Sequence, residues 1–129
     1  MRVEPYVYFQ GRCEEALEFY RGAIGADATL FAHFEDKVAH AVLRIGDTTV
    51  LASDGQGAGP AEFSGFSLSL TASDDAEAER LFAALSEGGT VQAPMAPTPF
   101  ASRLGLVADK FGVPWMVVSQ MRRGDLPIS

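Results

Sequence analysis

The sequence has a single cysteine, Cys13, so no disulfide can form within one chain. That usage fits a reducing compartment, and a cytoplasmic protein is expected. Basic residues are sparse: ten Lys and Arg stand against 17 Asp and Glu, a formal net charge of −7. Nucleic-acid binding needs clustered cations against phosphate, and the one adjacent basic pair, Arg122-Arg123, reads as a solvated tail. No apolar run reaches the roughly 20 residues of a membrane-spanning helix. The start, MRVEPYVYF, has Glu4 and Pro5 where a signal peptide needs an apolar stretch. Neither a nucleic-acid nor a membrane partner is expected. Imidazole is scarce too, with only His33 and His40.

What is present is apolar and periodic. Hydrophobic residues make up 47% of 129, enough for a packed core in one domain. VEPYVYFQ is aromatic and β-branched and reads as a strand. From Arg12 to Ile24 the period changes: Cys13, Ala16, Leu17, Tyr20 and Ile24 recur at helical spacing, with Glu14, Glu15, Glu18 and Arg21 mostly opposite. Three strand-like runs follow, DATLFAHFE, KVAHAVLRI and TTVLAS, with turns at Glu35-Asp36 and Gly46-Asp47. After the Gly-rich DGQGAGPAEFSG the order repeats. FSLSLTA alternates as a strand. A helix runs from about Asp74 to Glu87, with Asp74 and Glu77 spaced as a capping box. TVQAP, SRLGLVAD and VPWMVVSQ complete the second set, and MAPTPFA, marked by Pro94, Pro97 and Pro99, reads as an irregular loop.

The expectation is an α+β domain over residues 1–129. Its first βαβββ unit covers about 1–54, a linker 55–65, and the second unit about 66–121. Each unit of about 55 residues is too small for a secure core of its own. Each has one helix for one face of a four-stranded sheet. Two such curved mixed sheets, brought together, would enclose a cleft.

In order and spacing, PYVYFQGRCEEALEFYRGAIGA, KVAHAVLRIGDTTVLASD, GFSLSLTASDDAEAERLFAALSEGG and GLVADKFGVPWMV resemble the vicinal oxygen chelate superfamily, also called the glyoxalase/bleomycin resistance/dioxygenase superfamily. Within it the chain is most similar to the PhnB-like group, whose members often carry the words 3-demethylubiquinone-9 3-methyltransferase. The resemblance implies metal-ligand positions at Pro5, at Val50 or Leu51, at Phe66 and at Met116. None offers an oxygen or imidazole donor, so no metal and no other cofactor is expected. The methyltransferase activity is rejected: Gly55, Gly57 and Gly59 lead into a strand, whereas a nucleotide-binding Gly loop must open a helix.

What remains is a cleft lined by Tyr6, Tyr8, Phe66, Phe100 and Met116, with His40, Arg44, Asp54 and Arg103 as polar anchors. Trp115 and Met116 cannot both face it, and the resemblance favours Met116. Cys13 falls on the apolar stripe of its helix and reads as buried packing, although a helix start can lower a thiol pKa. The leading expectation is a protein that binds a small, partly apolar molecule without the superfamily metal. The alternative is a lyase, isomerase or dioxygenase with His40 as ligand or acid/base. A homodimer is expected, because each sheet has a helix for only one face.

Overall fold

Alternation and helical spacing give the elements their order, and the computed structural model describes residues 1–57 and 59–120. The first unit holds β1 (Tyr6–Tyr8), α1 (Cys13–Ile24), β2 (Asp27–Phe34), β3 (Lys37–Ile45) and β4 (Thr48–Ser53). The second holds β5 (Leu68–Ala72), α2 (Asp75–Ser86), β6 (Thr90–Thr98), β7 (Ala101–Ala108) and β8 (Pro114–Ser119). The fold is α+β, and both units are βαβββ. Their sheets have matching orders, β1-β4-β3-β2 and β5-β8-β7-β6. In each, the outermost pair, β1 with β4 and β5 with β8, is parallel and the other pairs are antiparallel. The chain divides between Glu62 and Phe63, so Phe63, read as linker in sequence, belongs to the second unit. Residue 121 and the Arg122-Arg123 pair lie outside the described residues. Among the described residues no helix is long and apolar enough to cross a membrane.

In the first unit, Cys13, Ala16, Leu17 and Tyr20 are the buried stripe of α1. The sheet buries Val7, Ala41, Leu43, Val50 and Ala52, which share one face by strand register. Gly25 ends the helix at φ 69°, a left-handed conformation that glycine adopts without steric cost. Arg12, at the N-cap position, makes no side-chain cap. The orphan amide of Cys13 instead donates to Asp54 Oδ1 at 2.8 Å, and Val38 N donates to Asp54 Oδ2 at 2.6 Å.

In the second unit the cap is local. Asp74 accepts from Glu77 N at 2.7 Å, and the Glu77 carboxylate reaches back to Ser73 N at 2.9 Å. Ala78, Leu81, Phe82 and Leu85 pack toward the sheet. Close approach is possible because Gly105 has no side chain: a Cβ there would lie 2.7 Å from the Phe82 ring and 2.6 Å from Met95 Sδ. The turn between β7 and β8 is built on Asp109. Its Oδ1 accepts from Phe111 N (2.9 Å) and Val113 N (3.1 Å), and its Oδ2 from Trp115 Nε1 (2.9 Å).

One element departs from the sequence reading. MAPTPFA is not an irregular loop; β6 runs through it to Thr98. Proline removes a ladder donor and is tolerated on an edge strand or at a bulge. β6 is both an edge strand and repeatedly irregular in register against β7, so Pro94 and Pro97 fit there.

Asp54 and Asp109 are 5% and 3% exposed. Replacing either with Ala strands two or three buried donors, and each unmade partner costs about 1–3 kcal/mol. Asp54→Ala and Asp109→Ala are each expected to lower unfolding free energy by about 3 kcal/mol in urea titrations. A loss below about 0.5 kcal/mol would contradict the buried-anchor assignment.

Candidate functional site

A sheet covered by one helix leaves its other face for function. In β1, Val7 is buried toward the helix, so Tyr6 and Tyr8 project from the opposite face. Tyr6 is paired with Leu51 across β1 and β4, and Leu51 with Val42 across β4 and β3, so these three share that face. Alternation along β3 adds His40 and Arg44. Leu51 is therefore on the helix-free face, whereas Val50 is buried on the other.

Three of these side chains form one cluster. Tyr6 and Tyr8 stack with ring centroids 4.8 Å apart and planes 20° from parallel. The Tyr6 hydroxyl and His40 Nδ1 are hydrogen-bonded at 3.0 Å, with the two rings 5.8 Å apart. Tyr8 remains 52% exposed despite the stack. Beside it, Gln10 takes a left-handed backbone, φ 51°. Its amide occupies the space that a side chain at Gly55 would need: a Cβ there would lie 2.7 Å from Gln10 Oε1 and 3.3 Å from Tyr8 Cβ. Gly55 thus permits a close approach to Gln10 and Tyr8. The Tyr6–His40 bond was not readable from sequence, because it depends on β4 lying between β1 and β3. Alternation alone places each residue on a face, and the strand order brings them together.

The other expected residues have different surroundings. Asp54 is not a ligand anchor on this face: it is buried, holding Cys13 N and Val38 N. Arg44 is exposed at the far end of β3, directly opposite Asp27 of β2. In the second unit, Arg103 shares a face with Gly105 and Val107, the side packed by α2. Its guanidinium lies 3.4 Å from Glu79 Oε1 and 3.8 Å from Asp75 Oδ2, so it braces the helix and is not on the helix-free face. Asp75 also accepts from the Ser102 and Ser119 hydroxyls at 2.5 and 2.6 Å. Those two bonds, then the Arg103 charge, hold its carboxyl below the usual range.

Met116 lies on the helix-free face of the second sheet, in register with Ser69 and Leu106. Trp115 is buried on the other face, in register with Val107. Phe100 is 37% exposed in the turn before β7. Phe66 is 45% exposed ahead of β5, and its ring meets Phe63 edge-on at 6.4 Å.

The metal that the resemblance implies finds no suitable donors at these positions. Pro5 and Leu51 are hydrocarbon, Phe66 is a phenyl ring and Met116 a soft thioether. Among the described residues, no three His, Cys, Asp or Glu side chains converge as a metal site. The donor set does not fit a hard or borderline divalent ion.

Cys13 is fully buried. Its thiol pKa is pushed up from the ordinary 9.0 to about 12, first by burial and then by the Asp54 and Glu14 charges. This outweighs any lowering by the helix start. A protonated thiol is a poor nucleophile, and three pKa units leave about a thousandth of the usual thiolate at pH 8. Native protein is therefore expected to react with Ellman's reagent far more slowly than unfolded protein. Because the folded state holds this proton more tightly, the thiol's contribution to stability is intact below about pH 9 and falls as pH rises toward 12. Cys13→Ala should flatten that alkaline loss in urea titrations; an unchanged pH profile would contradict it.

A family model described as 3-demethylubiquinone-9 3-methyltransferase matches residues 1–118. Protein YjdN of Escherichia coli strain K12 is 30% identical over 138 aligned positions, spanning 91% of this chain and 94% of that protein. The crystal structure of protein PA1353 from Pseudomonas aeruginosa is 40% identical with a TM-score of 0.82, covering 93% of this chain and 98% of the other. A Bacillus cereus structure carrying the same methyltransferase words and the name PhnB protein has a TM-score of 0.82 at 22% identity. It covers 92% of this chain and 99% of its own, and at that identity it speaks for the fold alone. Solved members of the glyoxalase/bleomycin resistance/dioxygenase superfamily share the architecture.

Proposed function

The chain belongs to the PhnB-like family of the vicinal oxygen chelate superfamily, and from that premise we propose that it binds a small, partly apolar organic molecule without the superfamily's metal. The observation that carries this reading is the helix-free face of the first sheet. There a stacked tyrosine pair, a tyrosine–histidine hydrogen bond and the aliphatic side chains of Val42 and Leu51 stand together. Ligand sites have this composition: mostly apolar surface with a few placed polar groups. The methyltransferase words are the family model's description, and the Gly-rich segment after β4 leads to the strand β5, not to a helix that could receive a nucleotide.

A second reading is proton transfer by His40 in a lyase, isomerase or dioxygenase reaction. It is favoured by the 3.0 Å contact with the Tyr6 hydroxyl, which orients the imidazole.

A ligand that binds only the native state must raise the melting temperature. Thermal-shift screening of small organic compounds is expected to find stabilisers whose effect His40→Ala and Tyr6→Phe reduce. Nickel, zinc, magnesium and manganese at millimolar concentration are expected to leave the melting temperature of the EDTA-treated protein unchanged. A saturable rise with one of these metals would overturn the metal-free reading.

The same proposal includes a homodimer. Phe34 is 71% exposed, with Leu30 at 39% on the same edge strand, and such apolar surface favours association. Light scattering at micromolar concentration should give twice the 13.8 kDa of one chain. A mass of one chain would overturn it.

A further inference from the structure

We infer that the ligand of the first unit's helix-free face is an uncharged planar aromatic or heteroaromatic molecule, stacked on Tyr8 and hydrogen-bonded through its ring edge to the Tyr6–His40 pair. This rests on the binding reading above and narrows it to a chemical class. Three observations carry it.

The first is the form of the aromatic cluster. Tyr6 and Tyr8 are nearly parallel, at 20° and 4.8 Å, so they are a stack and not a box. A box of mutually perpendicular rings suits a rounded cation. A stack suits another flat ring, and offset stacking adds attraction beyond that of the area buried. Tyr8 is at the end of this stack and half exposed, so the stack can be extended at its ring. Its backbone is fixed in β1, and a Cβ at Gly55 would lie 3.7 Å from Tyr8 Cδ1, so the segment after β4 passes close to the ring.

The second is the polar edge. The Tyr6 hydroxyl and His40 Nδ1 share one hydrogen bond whose direction depends on the imidazole tautomer. In either direction the phenol oxygen keeps further capacity, as acceptor when it donates to His40 and as donor when it accepts. A ligand hydroxyl, which donates and accepts, is therefore matched in either tautomer, and a ring nitrogen, which only accepts, is matched when the phenol accepts from His40 and keeps its own proton to donate.

The third is the charge. On this face Arg44 stands directly opposite Asp27, and the two opposite charges largely cancel at a distance. The chain's net charge of −7 disfavours an anion in the long-range field. Val42 and Leu51, between Arg44 and the aromatic cluster, add aliphatic surface.

The test uses the full chain and four probes: 2-naphthol, quinoline, 2-naphthoate and decahydro-2-naphthol, the last a saturated analogue of the first. Calorimetry is expected to give 2-naphthol and quinoline about two- to tenfold tighter than decahydro-2-naphthol. 2-Naphthoate should bind more weakly than 2-naphthol. Tyr8→Leu should weaken 2-naphthol about five- to tenfold, and Tyr8→Phe should retain it. The unliganded melting temperature of each variant checks its folding. With two histidines in the chain, the imidazole Cε1–H signals report location: 2-naphthol should shift that of His40 and leave that of His33 in place. Equal affinity for decahydro-2-naphthol, or full 2-naphthol affinity in Tyr8→Leu, would overturn the inference. If non-aromatic compounds stabilise the protein and shift His40 while the planar probes do not, the chemical class fails and the binding reading stands. If no compound of either kind stabilises it, both fail.

Discussion

A carboxylate shut away from water must be surrounded by donors, and each unit of this protein is organised around one. In the first unit Asp54, at the end of β4, gives one oxygen to the amide that opens α1 and the other to the amide of Val38 in β3. The start of α1 is thereby held to the β3–β4 hairpin, 41 residues further along the chain. The helix needs this because Arg12 supplies no cap of its own. In the second unit Asp74 caps α2 locally, and the buried carboxylate is elsewhere, at Asp109 in the β7–β8 turn. The element order is duplicated, but the polar anchors that hold it are not.

That anchoring decides which face is available. Once α1 is pinned beside β3 and β4, Val7, Ala41, Leu43, Val50 and Ala52 are committed to the helix side. The residues between them are committed to the other. In the second unit, Ser102, Ser119 and Arg103 converge on the first turn of α2 through Asp75, with Glu79 one turn further along the helix. These polar side chains, Arg103 among them, are thus used to fix a helix. The aromatic–imidazole cluster of the first sheet has a different character, because Tyr8 stays half exposed and the tyrosine–histidine bond stands on the face that α1 does not cover.

Much of the fold was legible in the sequence because it depends on local periodicity. The spacing of Cys13, Ala16, Leu17 and Tyr20 marks α1, and Asp74 with Glu77 marks the start of α2. Other features were not legible, for separate reasons. The role of Asp54 depends on a contact 41 residues away, so it read as a polar anchor for a ligand. Arg103 alternates correctly for a strand, but only the position of α2 shows which face is covered. Pro94 and Pro97 suggested a loop because local propensity takes no account of an edge position, where a strand can lack donors. Of the expected ligand residues, Tyr6, Tyr8 and His40 form one cluster, and Arg44 shares their face. Tyr6 and His40 are assembled by strand order, which periodicity does not encode.

The repeated hairpin shows how one polar atom can set a register. RIGDTTVLASD and ADKFGVPWMVVSQ share a Gly-centred turn and a strand ending in serine. In the first, the buried alternates are Val50 and Ala52, and the turn carries no buried carboxylate. In the second, Trp115 has an indole N–H that cannot be buried without an acceptor. Asp109 provides it at 2.9 Å while also holding the amides of Phe111 and Val113, which a turn through Gly112 at φ 89° brings within reach. With Trp115 fixed on the helix side, strand alternation leaves Met116 on the other face. Met116, the position where the resemblance implies a metal ligand, is thus oriented by a carboxylate in the preceding turn. An apolar strand following that turn can keep its register with no charged residue of its own.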